Sequence, residues 1–214
     1  MSENLKKVQD LKIERTIKAL KENGINGYKV KNKEELRKLI ESLIEKKSTV
    51  TVGGSMTLFE SGIIDLLRNG EYNFLDRYKE GLTREDIEKI YREAFSADYY
   101  LTSTNALTEK GELYNVDGNG NRVAAMIFGP KKVIVVAGVN KLVKNLDEAI
   151  LRMREIAAPA NAIRLNRKTP CAKVGYCCDC KSPEKVCREY TVIKSQGNKE
   201  RFHVIIVEEN LGYK

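Results

Sequence analysis

The sequence predicts an α/β fold, a mainly parallel sheet with helices on both of its faces. Three observations carry this expectation. Short β-branched apolar runs alternate along the chain with segments of helical period, the order that parallel strands and crossover helices require. One of those runs passes through a glycine turn directly into a helical pattern, Ser48 to Val52, then Gly53-Gly54-Ser55, then Met56 onward. The length of 214 residues, with 42% hydrophobic and 32% charged residues, suits one globular domain of α/β size with room for a short appendage.

Taken in chain order, a first helix reads from Glu3 to Glu22, with Leu5, Val8, Ile17 and Leu20 near one face and Gly24 as its stop. Gly27 to Val30 is a short strand. Lys33 to Glu45 repeats the helical period cleanly, because Leu36, Leu39, Ile40, Leu43 and Ile44 fall at offsets that line one face. After the glycine turn, Met56 to Arg68 reads as one helix. A looser aromatic stretch holds Tyr72, Phe74 and Tyr78, and Thr83 with Asp86 forms a capping-box pattern that opens a helix to Ser96. Asp98 to Thr102 is the next strand. From Ser103 to Asn121 the chain becomes polar and glycine-punctuated, a long loop with a short strand at Glu112 to Val116. Val133 to Ala137 is an apolar strand. Asn145 caps a helix marked by Leu146, Ile150, Met153 and Ile156, which Pro159 is expected to end. Leu165 to Arg188 has no periodicity, and Tyr190 to Ile193 and Phe202 to Val207 read as two closing strands.

Composition excludes several classes. No apolar run approaches the roughly 20 residues of a membrane helix, and the charged amphipathic N-terminus lacks a signal-peptide core, so a cytoplasmic protein without membrane partners is expected. The net charge is +8, of which the segment Arg164 to Arg201 contributes +6, leaving the rest nearly balanced. That pattern argues against a nucleic-acid coat, whose basic residues would run along a whole face. A single histidine, His203, in an apolar strand argues against Ser-His-Asp or Cys-His machinery.

Three stretches carry candidate chemistry. In Val52-Gly53-Gly54-Ser55 the glycines permit close approach to a ligand and a helix start offers free N–H groups to an anion, although a plain tight turn needs the same residues. It is neither a Walker loop nor a dinucleotide fingerprint. The second stretch, Leu101 to Arg122, is dense in hydroxyls and amides suited to a polar or phosphorylated small molecule. Thr104, Asn105, Asn121 and Arg122 are its candidate binding residues, Arg122 as a bidentate anion clamp, while a hairpin with Asx turns is the competing local reading. The third is the cysteine segment. All five cysteines lie between Cys171 and Cys187, with Cys177 and Cys180 in a C-x-x-C pair, Cys171 and Cys187 flanking it and Cys178 left over. Nearby Lys168, Lys173, Lys181, Lys185 and Arg188 would offset the charge of four thiolates. Four sulfurs suit a zinc ion or an iron–sulfur cluster alike.

These stretches together resemble the LUD-domain family of lactate-utilisation proteins, formerly the DUF162 family. The resemblance runs through Val52 to Ser55, Thr104 to Gly111, Asp117 to Arg122, the cysteines and Asn210-Leu-Gly-Tyr213, nearly the whole chain. It implies a single domain over residues 1–214, with a cysteine-rich metal-binding insertion at 165–190. The implied fold is Rossmann-like, similar to the NagB/RpiA/CoA transferase-like superfamily of ribose-5-phosphate isomerase, glucosamine-phosphate deaminase and CoA transferases, whose members bind sugar phosphates or CoA thioesters. Similar short family members repeat the thiols Cys171, Cys177, Cys180 and Cys187 but not Cys178, and iron–sulfur oxidoreductases are expected partners. The expected role is to bind a small anionic metabolite beside a four-cysteine centre in organic-acid metabolism. Glu109-Lys-Gly111 echoes the Glu-x-Gly of some CoA transferases, which makes Glu109 the candidate catalytic residue of an isomerase or acyl/CoA transferase. A third reading takes the cysteine segment as a zinc knuckle for a regulatory contact, with Tyr176 and Tyr190 as stacking groups.

Overall fold

A computed structural model describes residues 2–213. In chain order the helices are α1 (Glu3–Glu22), α2 (Lys33–Leu43), α3 (Met56–Glu60), α4 (Ile63–Asn69), α5 (Arg84–Glu93), α6 (Asn121–Ile127), α7 (Leu146–Arg152), α8 (Ala158–Arg164) and α9 (Pro170–Val174). The strands are β1 (Asn26–Val30), β2 (Thr49–Val52), β3 (Asn73–Leu75), β4 (Tyr99–Thr102), β5 (Ala106–Thr108), β6 (Leu113–Asp117), β7 (Lys132–Gly138), β8 (Leu142–Val143), β9 (Glu189–Ile193) and β10 (Phe202–Val207).

Six strands form a wholly parallel sheet in the order β1-β10-β7-β4-β2-β3. Its central strands bury both faces, and their two-residue period divides the core cleanly. Ile134, Val136, Ile205 and Val207 pack with Leu36 and Ile40 of α2 and Leu58 and Ile64 from α3 and α4. Val133, Val135, Val204 and Ile206 face Ile13 and Leu20 of α1 and Met126 of α6 on the other side. The fold is therefore the expected Rossmann-like α/β layer structure.

A second, four-stranded sheet in the order β8-β5-β6-β9 is built mostly from the stretch that reads as a polar loop. Two features hid it. Polar Asn115 and Asp117 occupy buried strand positions, and the two closing strands part company, β9 pairing with β6 while β10 pairs with β1 and β7. A third apolar cluster, Tyr114, Val116, Ala149, Met153 and Ala158, joins this sheet to α7 and α8.

Three further expectations are corrected. Met56 to Arg68 is two helices, because Gly62 at φ +72° ends one and starts the other. Leu5 and Val8 are 60% and 62% exposed, and α1 buries Ile13 and Thr16 beside the expected Leu20. Pro159 does not end its helix. A π-helical turn over Met153–Ala157 precedes it, with the Ala158 N–H reaching the Met153 carbonyl, and this wider turn lets the helix run through the proline to Arg164. His203 is a strand residue as expected, its Nδ1 3.0 Å from the Tyr28 hydroxyl.

Candidate functional site

A cavity of about 520 Å³ opens at the carboxyl ends of β2, β4 and β7, where ligands bind in open parallel sheets. Its sides are the turn after β2, the β4–β5 connection, the start of α6, α8, the segment Pro183 to Arg188 and the C-terminal Gly212 and Tyr213. Seven cationic side chains line it, against only two carboxylates, Asp117 and Glu184.

Of the expected binding residues, Gly54, Ser55, Thr104, Asn105, Asn121 and Arg122 all reach this cavity. Several spend their polar groups inward. Arg122 donates from Nε to Asp117 (2.9 Å), from Nη1 to the Ser103 carbonyl and Asn115 Oδ1 (3.0 and 2.6 Å), and from Nη2 to Asn105 Oδ1 and the Val116 carbonyl (3.1 and 3.2 Å). Those contacts use every guanidinium N–H, so Arg122 holds walls together and is not a free anion clamp. Asp117 in turn accepts the backbone N–H groups of Arg122 and Val123, capping α6. The Asp117-Gly-Asn-Gly-Asn-Arg122 motif is thus a helix cap and ion pair closed over a glycine turn, with Gly120 at φ +69°. Thr104 Oγ1 lies 2.8 and 2.9 Å from the Ala106 and Tyr114 carbonyls, and Ser55 caps α3. Gly53 does not line the cavity; a Cβ there would come within 2.8 Å of Thr102 Oγ1 and the Tyr100 hydroxyl.

Glu109 is not brought to the cavity. Its carboxylate lies against α1, accepting from Arg15 Nη2 at 2.7 Å with Lys12 at 3.8 Å. That placement does not bring it together with the other candidate residues.

The residue that sequence reasoning missed is Lys141, in a 3-10 turn directly after β7. It is 7% exposed, and its Nζ donates to Thr57 Oγ1 and Ser103 Oγ, both at 2.7 Å. Burial, with the Arg152 and Arg122 charges nearby, pushes its pKa down to about 7 against a smaller opposing effect of Glu60. A lone lysine just past the end of an apolar strand was the available signal. Arg77 was missed too. Its guanidinium lies over the Tyr91 ring at 4.5 Å and donates to the Tyr91 hydroxyl, while its Nε is buried without a partner among the described residues.

All five cysteines line a second, smaller pocket of about 100 Å³, which shares Ala158, Lys185 and Val186 with the large cavity. The C-x-x-C turn is held by Arg154, from the π turn. The Arg154 carbonyl accepts the Cys177 N–H (2.9 Å), and its guanidinium forks onto Asp179 (2.6 and 2.5 Å), whose φ is +48°. This pair lowers the Asp179 pKa. Cys171 is buried on α9 with Thr169 Oγ1 at 3.2 Å from its sulfur, Cys178 is exposed, and burial raises the Cys187 thiol, partly offset by Tyr190. Among the described residues no three His, Cys, Asp or Glu side chains converge closely enough to hold a metal ion.

A LUD-domain family model matches residues 13–207. The chain belongs to the LUD-domain family. Among solved structures, this LUD domain is similar to a DUF162 family protein from Deinococcus radiodurans, at 15% identity and TM-score 0.55, covering 93% of this chain and 98% of that one. It shows weaker likeness to ribose 5-phosphate isomerase A from Neisseria gonorrhoeae (13% identity, TM-score 0.35, 53% of each chain). The malonate decarboxylase alpha subunit from Acinetobacter baumannii is similar at 14% identity and TM-score 0.39, over 98% of this chain and 38% of that one. No curated protein matches the chain significantly. Among the described residues, no helix of this LUD domain is long and apolar enough to cross a membrane.

Proposed function

We propose that this LUD domain is a cytoplasmic binding or catalytic component of organic-acid metabolism that takes a small anionic metabolite into the cavity at the carboxyl edge of its sheet. An organic acid, a sugar phosphate or the pyrophosphate end of a CoA ester shares the required chemistry. The observation that carries the reading is the charge around the 520 Å³ cavity, seven cations to two carboxylates, with Asp117 already paired to Arg122. Lys141 follows β7, and Arg77, Arg164, Arg167, Lys185 and Arg188 complete the cationic lining with Arg122. Such a field concentrates anions and strengthens with the low dielectric of the cleft.

The thiol pocket is proposed to hold a zinc ion or an iron–sulfur cluster on Cys171, Cys177, Cys180 and Cys187. The support is the chemistry of the donor set, five sulfurs lining one pocket with Lys185 in its wall against the negative charge of a thiolate centre, and binding would require those thiols to draw together. A cluster would supply electron transfer beside the metabolite, consistent with iron–sulfur oxidoreductase partners, whereas zinc would supply a structural tie. Arg154 and Asp179 keep the C-x-x-C turn in place either way.

The test is a thermal-shift series with inorganic phosphate, lactate, ribose 5-phosphate and coenzyme A at constant ionic strength, beside iron, zinc and acid-labile sulfide analysis of anaerobically purified protein. A ligand at a hundredfold its Kd stabilises the native state by about 2.7 kcal/mol, a readable shift. Saturable stabilisation that weakens in the double variant Arg164→Glu, Arg167→Glu supports the anion site. Absence of stabilisation by every anion sinks it, and absence of bound metal and sulfide sinks the thiol centre.

A further inference from the structure

The environment of Lys141 is more specific than an anion site requires. A lysine that only attracts anions works best charged and solvated, yet this one is almost wholly buried and touches no carboxylate. The two oxygens it does touch are committed acceptors. Ser103 Oγ donates to the Val136 carbonyl at 2.6 Å, and Thr57 Oγ1 is directed at the Leu211 carbonyl at 3.5 Å, so each hydroxyl offers Lys141 only lone pairs. A neutral amine has two N–H donors, and both are used. Its remaining lone pair is then the group left to face the cavity, which Lys141 lines.

The backbone opposite is arranged to keep Nζ accessible. Gly212, at φ +73°, faces the amine, and a Cβ there would sit 2.7 Å from Thr57 Oγ1 and 3.4 Å from Nζ. This C-terminal segment is held by the Asn140 side chain, which accepts from the Leu211 N–H (3.0 Å) and donates to the Tyr213 carbonyl (2.9 Å), and by Glu60 on the Gly212 N–H (2.8 Å). Arg152 adds contacts to the Asn105 and Asn140 carbonyls (2.9 and 3.0 Å). The charges acting on Lys141 are thus the cations Arg152 and Arg122 and, with a smaller opposing effect, Glu60, a balance that together with burial makes the uncharged amine available near neutral pH.

We propose that Lys141 is a covalent nucleophile, forming an imine with the carbonyl carbon of an anionic aldehyde or ketone bound in this cavity. The inference rests on the anion-site reading and names the reactive group its ligand carries. In the step, the Nζ lone pair forms the C–N bond while the carbonyl π pair moves to oxygen. The carbinolamine then loses that oxygen as water, with both water hydrogens coming from the original amine, so no oxidant or reductant is needed. Ser103 Oγ, which accepts an N–H of Nζ at 2.7 Å, is placed to take that amine proton and, by turning its own hydroxyl from the Val136 carbonyl, relay it to the departing oxygen. The surrounding cations hold the substrate's anionic group.

The experiment is reductive trapping with sodium borohydride, using pyruvate and glyoxylate as probes, read by intact mass and peptide mapping of the wild-type protein, with phosphate thermal shifts run in parallel. One reduced adduct confined to Lys141, suppressed by saturating phosphate and reduced at least tenfold in Ser103→Ala, is the expected result. The Lys141→Arg variant should give no adduct at this position. Adducts spread over surface lysines, or none, while phosphate still raises Tm, overturn the nucleophile and leave the anion site standing. Loss of both signals removes both readings.

Discussion

Replacing Arg122 by Met separates two roles that its position in the cavity allows. The five N–H donors of Arg122 meet Asp117, Asn105, Asn115 and the carbonyls of Ser103 and Val116, and the ion-paired side chains of Arg122 and Asp117 are only 10% and 9% exposed. Deleting the guanidinium leaves a nearly buried carboxylate with only the α6 backbone N–H groups as partners. Removing one member of a buried ion pair costs about 3–5 kcal/mol. For a domain of this size each kcal/mol is worth roughly 2–4 °C in Tm, so Arg122→Met should melt about 6–20 °C below wild type. Urea denaturation at neutral pH gives the free energy directly, and Asp117→Asn in the same background should recover part of the loss, because it removes the stranded charge. A loss below about 1 kcal/mol accompanied by abolished anion stabilisation would refute the reasoning and make Arg122 a ligand clamp after all.

Gly53→Ala should destabilise by about 1–3 kcal/mol in the same denaturation assay, since its Cβ would press on Thr102 Oγ1 and the Tyr100 hydroxyl at 2.8 Å; an unchanged midpoint would show that the packing yields. Lys141 has a folded pKa of about 7, below its unfolded value, so the unfolded chain binds the extra proton between these two. Its burial therefore costs stability below pH 7, and the cost fades as pH rises toward 10; wild-type stability relative to Lys141→Met should climb across that window, and a flat difference would contradict the burial effect. Asp179→Asn removes the carboxylate charge from the Arg154 fork and should loosen the C-x-x-C turn, read as faster amide hydrogen exchange at Cys177; unchanged exchange would mean that the Cys177 N–H contact to the Arg154 carbonyl suffices.

Legibility along the chain followed the locality of the signal. The capping box at Thr83 and Asp86 and the Asn145 cap are contacts within a few residues, and both form as their spacing predicts. The apolar strands β7 and β10 declared themselves by composition. The second sheet did not, because Asn115 and Asp117 look like loop residues until Arg122, brought in by the next helix, satisfies them. Pro159 misled for a similar reason, since the π turn that accommodates it is a property of the whole helix and of Arg154, which reaches across to the cysteine turn.

By itself, the sequence determined the layer architecture, most strand and helix positions, the family and the gathering of the cysteines into one segment, since each of these depends on local periodicity, caps or spacing. Only the tertiary structure decided which polar residues are free. Arg122 and Thr104 turn inward, Glu109 pairs outward with Arg15, and Lys141 is enclosed at the head of the cavity. Those outcomes depend on hydrogen-bond partners that lie 5 to 38 residues away for Arg122, Thr104 and the Lys141–Ser103 pair, and 94 for the Arg15–Glu109 pair. A side chain's chemistry is set by whether its polar groups are already satisfied, and in this chain that is settled by residues the local pattern does not contain.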